Sequence, residues 1–169
     1  MGVAVTSQCG YCGDMFEDVH CCDDYSGFCV HIIQTHPDAV VPFKSTSGSA
    51  GFDLVAVDSY IIKPHETVMI DVGWRISLPK YSEAQIRSRS SLSLAGIVVA
   101  GGIGTIDPDY QGDIGVPLHN LSLHAYHVKK GDKVAQMVIQ YLPRAIMHVV
   151  EDFHEQSERG TGGFGSTGR

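Results

Sequence analysis

Ser59-Tyr-Ile-Ile-Lys63, Thr67-Val-Met-Ile-Asp71 and Trp74-Arg-Ile-Ser-Leu78 decide the fold class. Apolar and polar side chains alternate, or nearly so, in each run. That is the period of a strand with one face in a core and the other in water. Pro64, Gly73 and Pro79 punctuate the runs. Outward from them the pattern repeats. Val30–Gln34 is a short apolar run, and Gly96–Ala100 and Asp113–Leu118 flank a turn-rich segment. Ala125–Lys129 leads into a Lys130-Gly131 turn, and Val134–Tyr141 is the longest strand candidate. The core has room for one short helix, around Ser90 to Ala95. Many short strands separated by Gly and Pro turns predict an all-β sandwich or jelly roll.

The chain has 169 residues, 43% hydrophobic and 18% charged, enough for one globular domain with a real core. No apolar run is as long as a membrane span, and no hydrophobic leader follows Met1, so no membrane association is expected. The formal net charge of -7 argues against stable binding to nucleic acid. A phosphate ligand would have to be met by a few placed cations, the candidates being Arg75, Arg87, Arg89, Arg144, Arg159 and Arg169.

Five segments carry candidate chemistry. Ser49-Ala-Gly-Phe-Asp-Leu54 allows close backbone approach, and Asp53 either holds a hydrated cation or sits in an ordinary turn before a strand. Arg87-Ser-Arg-Ser-Ser-Leu92 sets guanidinium beside hydroxyls at a helix start. It is either a phosphate cradle or a serine cap. Gly101 to Gly115 reads as a hairpin rich in special backbone positions. Its exposed amides suit a base edge. Asp107 is either a turn acid before Pro108 or a carboxylate that orients water. Tyr110 is either a packed ring or a ring set against a sugar. In Gly131-Asp-Lys-Val-Ala-Gln-Met-Val138, the amide of Gln136 inside an apolar strand must be hydrogen-bonded, to a neighbouring strand or to a ligand. Arg159 to Arg169 has five glycines among eleven residues, with one ring and three hydroxyls between its arginines. It is either a flexible terminus or a lid for an aromatic, phosphorylated ligand.

In this order the five segments resemble the motifs of the trimeric deoxyuridine triphosphatase (dUTPase) family. The matching stretches are Ser49–Leu54, Arg89–Gly96, Gly104–Ile114, Gly131–Val138 and Arg159–Gly168. The resemblance implies a dUTPase-like β jelly roll (β-clip) with a flexible C-terminal arm. It implies a homotrimer with shared active sites and Mg²⁺-dependent hydrolysis of dUTP to dUMP and pyrophosphate. Carried over residue by residue, Asp107 would deprotonate the attacking water. Tyr110 would lie under the deoxyribose and exclude a 2′-hydroxyl. The backbone of Gly104, Thr105, Ile106 and Gly115 would read uracil. Arg89, Ser90, Gln136 and the Ser91 amide would bind phosphates, and Asp53 would hold metal-bound water. In the arm, Phe164 would cover the base while Arg159, Gly165, Ser166 and Thr167 close on the phosphates. The implied division is an appendage at 1–27, a core at 28–150 and an arm at 151–169 reaching a neighbouring subunit. The implied setting is intracellular, cytoplasmic or nuclear, for an enzyme of cellular or viral origin.

Some positions depart from the family pattern. Ser91 replaces a frequent glycine, Ala95 a frequent lysine, and Gly101 an asparagine that reads uracil in some members. Two other readings stand beside the first. A dCTP deaminase would use a glutamate in the base-reading hairpin, and Gly101–Gly115 has none. A dUTPase-like regulatory or binding protein would act through the appendage. All five cysteines, Cys9, Cys12, Cys21, Cys22 and Cys29, fall in the first 29 residues. Cys9-x-x-Cys12 has zinc-knuckle spacing but lacks a clean second pair, and the alternatives are reduced surface thiols or a poorly ordered extension. Met1-Gly-Val-Ala-Val-Thr6 matches the N-myristoylation pattern, which also arises by chance.

Overall fold

A computed structural model of the chain describes residues 7–8, 15–16, 29–153, 155, 157–163 and 166. Twelve strands and one helix follow in order: β1 (Ser7–Gln8), β2 (Met15–Phe16), β3 (His31–Gln34), β4 (Phe52–Val55), β5 (Tyr60–Ile62), β6 (Thr67–Ser77), β7 (Ser82–Arg87), α1 (Ser90–Leu94), β8 (Ile97–Val99), β9 (Ile103–Ile106), β10 (Asp113–Asn120), β11 (Tyr126–Val128) and β12 (Lys133–Tyr141). Two four-stranded sheets, in orders β3-β6-β10-β8 and β4-β12-β7-β9, form the body. All their pairings are antiparallel. Minor two-stranded sheets join β11 to β5 and β1 to β2. The sandwich expected from the alternating runs is therefore present.

One buried cluster unites the sheets. Ile70, Val72, Val116 and Leu118 of the first belong to it with Leu54, Ala84, Ile86 and Met137 of the second. At one end Asn120 is fully buried, and its amide donates to the carbonyls of Ile62 and His124 while its oxygen accepts from Ser122. Every polar atom of that side chain is thus met, as burial requires.

Three expectations need correction. The runs at 67–71 and 74–78 are one eleven-residue strand, and Gly73 lies inside it. Gly73 has φ +74°, and the register slips where β6 faces Asp113 and Gly115, which makes it a bulge and not a break. A Cβ there would stand 2.7 Å from the Ala39 Cβ and 2.8 Å from the His36 Cβ. The stretch at 101–115 is wider than a simple hairpin. β8 and β10 are its arms, while β9 crosses to the other sheet and pairs with β7. Finally, Cys29 is disulfide-bonded, which overturns reduced thiols as the reading of that residue. Cys9, Cys12, Cys21, Cys22 and the Gly2 acylation pattern lie outside the described residues.

Candidate functional site

Three of the quoted segments meet on one row of the second sheet. Gln136 of β12 faces Asp53 of β4 on one side and Arg87 of β7 on the other. Cross-strand partners share a face, so the register brings these distant positions to one place. Just beyond Arg87 the chain turns into α1, with Arg89 in extended conformation at its N-cap (φ -86°, ψ 140°). No side chain caps α1, so neither Ser90 nor Ser91 acts as its cap. The result is a polar cleft of about 280 Å³ lined by Ser45, Ser49, Asp53, Arg89, Ser90 and Gln136. Ser91 lines the adjoining cleft of about 350 Å³, on the other side of Arg89.

Asp53 is 8% exposed and its carboxylate is fully engaged. Oδ2 accepts from Lys133 Nζ at 2.7 Å and from Ser45 Oγ at 2.7 Å, and Arg89 Nε lies 3.2 Å from Oδ1. Burial pushes the Asp53 pKa up, but the bonds from Lys133 and Ser45 and the Arg89 charge outweigh it, and the net shift is downward. Gln136 Nε2 donates to the Ser88 carbonyl at 3.1 Å, which leaves its second N–H toward the cleft. A Cβ on Gly51 would stand 2.9 Å from Gln136 Oε1, so a small residue is required there.

Among the described residues, no three His, Cys, Asp or Glu side chains converge on a point. Asp53 is the one acid in the cleft lining. Its oxygens carry two cations and a hydroxyl, so it suits the second layer around an ion whose inner ligands are water and phosphate. Mg²⁺ at a triphosphate usually keeps several waters that such a carboxylate can accept from.

The remaining candidates stand apart. Asp107 and Tyr110 lie in the loop between β9 and β10, with the Tyr110 N–H donating to the Asp107 carbonyl. Tyr110 Oη donates to the Asp113 carbonyl at 2.9 Å, and its ring lies so close to Gly112 that a Cβ there would be 2.6 Å from Cζ. Arg75, a cation candidate, is committed to Asp113 at 2.8 Å. Gly104, Thr105 and Ile106 belong to β9, an edge strand whose backbone pairs on one side only. Gly115 lies on β10. Arg159 Nε donates to the Gly162 carbonyl within the arm, and the Ser166 N–H to that of Gly163. Phe164, Gly165 and Thr167 lie outside the described residues. Among the described residues, neither the loop acid nor the arm lines the cleft.

Two partners of Asp53 were not foreseen. Lys133 sits inside the fourth quoted segment, yet alternation puts it on the face opposite Gln136. Ser45 lies in a polar loop with no distinguishing pattern.

The dUTPase family model matches residues 38–168. The deoxyuridine 5'-triphosphate nucleotidohydrolase of Clostridium kluyveri is 44% identical over 132 residues, 78% of this chain and 92% of that protein. That of Helicobacter pylori strain Shi470 is 44% identical over 140 residues, 82% of this chain and 96% of that protein. Among solved structures, the dUTPase of Staphylococcus bacteriophage 80alpha with dUPNHPP has a TM-score of 0.78 at 25% identity, covering 83% of this chain and 99% of that one. A mutant dUTPase from phage phi11 of S. aureus, described for its coordination of a structural Mg(II) ion, has a TM-score of 0.71 at 21% identity, covering 76% and 100%.

Proposed function

The chain belongs to the dUTPase family, and we propose that the cleft beneath Arg89 is where it holds the triphosphate of dUTP. The protein hydrolyses dUTP to dUMP and pyrophosphate, which limits uracil incorporation into DNA and supplies dUMP for dTMP synthesis. The observation that carries the site is one polar cleft in which Arg89, Ser90 and Gln136 line the walls beside the Asp53 carboxylate, itself bound by Arg89 and Lys133.

In this reading Arg89, the Ser90 hydroxyl, the Ser91 amide and the second N–H of Gln136 hold phosphate oxygens. Asp107 accepts the proton of the water that attacks the α-phosphorus. Arg89 meets the negative charge that builds on the departing pyrophosphate. Asp53 would hold water bound to Mg²⁺, and the ion would neutralise the triphosphate and favour departure of pyrophosphate. Tyr110, fixed by its bond to Asp113 and its contact with Gly112, lies under the deoxyribose. The open side of β9 offers N–H and C=O groups to the uracil edge, supported by Gly115.

We infer a homotrimer. The Asp107 loop and the described residues of the arm do not line the cleft of their own chain, and in this reading neighbouring chains supply them. A second feature supports this. An apolar cavity of about 540 Å³ opens between β3 and β4, lined by Val30, Ile32, Phe52, Met137 and Ile139. After β12, no regular element follows among the described residues, and Ile146, Met147, Val149 and Phe153 are exposed. The occupant is the 142–153 segment of a neighbour, and the arm beyond it closes the next site. In this proposal residues 1–27 remain an appendage to an intracellular enzyme.

Pyrophosphate release tests the assignment. With dUTP, dCTP, dTTP and UTP as substrates, only dUTP turns over rapidly, and chelating Mg²⁺ suppresses it. Comparable turnover of dCTP or UTP would overturn the reading of the β9 edge and Tyr110.

A further inference from the structure

We propose that Lys133 is the positioning residue of the phosphate cleft: by occupying one oxygen of Asp53 it keeps the Arg89 guanidinium available to phosphate. The inference rests on the reading of this cleft as the triphosphate site.

The geometry is specific. Lys133 Nζ stands 2.7 Å from Asp53 Oδ2 and 2.8 Å from Ser45 Oγ, and Ser45 Oγ is itself 2.7 Å from Oδ2. The ammonium also lies over the Phe43 ring, 4.6 Å from its centre. It is thus held on three sides. Arginine meets a carboxylate best through two parallel bonds. Here one oxygen is taken, and the Arg89 guanidinium approaches the other with Nε 3.2 Å from Oδ1. Its Nη1 donates to the Lys133 carbonyl at 3.2 Å, and no hydrogen bond from Nη2 is made among the described residues.

Charge follows the same logic. Two cations around one carboxylate leave one positive charge over. Without the ammonium, Asp53 would offer both oxygens to Arg89, the fork would close on it, and no charge would remain for an anion. A backbone irregularity makes this possible. Lys133 and Gln136 are three residues apart, so in a regular strand they face opposite ways. The register of β12 against β4 slips between Lys133 and Ala135, and this lets Lys133 reach Asp53.

The test uses the full chain and inorganic tripolyphosphate as probe, by titration calorimetry without Mg²⁺, beside dUTP kinetics with it. Lys133→Met weakens tripolyphosphate binding about tenfold, the order of one charge-assisted hydrogen bond, and raises KM for dUTP with little change in kcat. Lys133→Arg restores both. The decisive comparison removes Asp53. In an Asp53→Asn background the change Lys133→Met alters affinity less than about twofold, because the carboxylate that would trap Arg89 is gone. A tenfold loss in that background means Lys133 touches phosphate directly and overturns the positioning role. So does unchanged affinity in Lys133→Met alone. The Asn background also serves if Lys133→Met fails to fold, since it leaves no unpaired acid. Arg89→Ala is the control. If it leaves tripolyphosphate affinity unaltered, the cleft is not the phosphate site. If it weakens binding while Lys133→Met does not, the positioning role alone fails.

Discussion

At the scale of single residues, the proposed site gives Asp107 and Asp53 separate tasks. Asp107 is exposed in its own chain, open to a ligand and a neighbour. Asp107→Asn keeps the shape and loses the proton acceptor. Its turnover falls by about 10²–10⁴, the usual share of a general base, while calorimetry shows unchanged affinity for a non-hydrolysable dUTP analogue. Turnover near wild type would remove Asp107 from the chemistry. Asp53 acts through charge, and its pKa is depressed below the ordinary 3.8. Its contribution to stability is therefore complete above the unfolded pKa and is lost as pH falls through the lower folded value. Thermal melts from neutral pH down to about pH 3 should show wild type losing stability more steeply below about pH 4 than Asp53→Asn. Equal slopes would mean that the two cations do not stabilise the ionised form.

Individual elements show where sequence periodicity works and where it stops. β10 alternates burial along its length, and its sequence reads that way. β7 alternates as strictly, yet its inward residues are Ser82, Ala84 and Ile86, and a run beginning with serine does not read as apolar. Ser82 is nonetheless fully buried, its hydroxyl donating to the Pro79 carbonyl at 2.7 Å. β6 misleads in the opposite sense, because Gly73 reads as a stop and is a bulge. There the Gly73 N–H donates to Asp71 Oδ1, while the Asp71 carbonyl accepts from Val57. Gly73→Ala forces a side chain into left-handed backbone and against Ala39, His36 and Val57. It should cost about 1–3 kcal/mol or more. Unfolding followed through the fluorescence of Trp74, which is buried and donates to the Val40 carbonyl, will show it. A midpoint equal to wild type would mean that β6 tolerates a regular residue there.

On the scale of the whole molecule, the two halves of the C-terminal segment should separate by experiment. Deleting 159–169 removes groups proposed to close on the ligand, so most activity goes while the melting transition and the oligomer persist. Deleting 142–169 also removes the exposed apolar stretch proposed to fill a neighbour's cavity, and sedimentation should then report monomers. If the shorter deletion also dissociates the oligomer, the terminal residues are structural and the lid reading falls. A trimer surviving the longer deletion would refute the exchange of 142–153. No helix among the described residues is long and apolar enough to cross a membrane.

The all-β class, the short helix and the five ordered segments that name the family are legible in the chain's residues alone. Those rest on local pattern: alternation, turn residues and fixed spacings. The shared row of Asp53, Gln136 and Arg87, the departure of β9 from its hairpin to the other sheet, and the reach of Lys133 to Asp53 came from tertiary packing. Strand register and bulges are set by packing between residues far apart in the chain. A one-residue slip reverses which face a side chain occupies, and no local pattern records it.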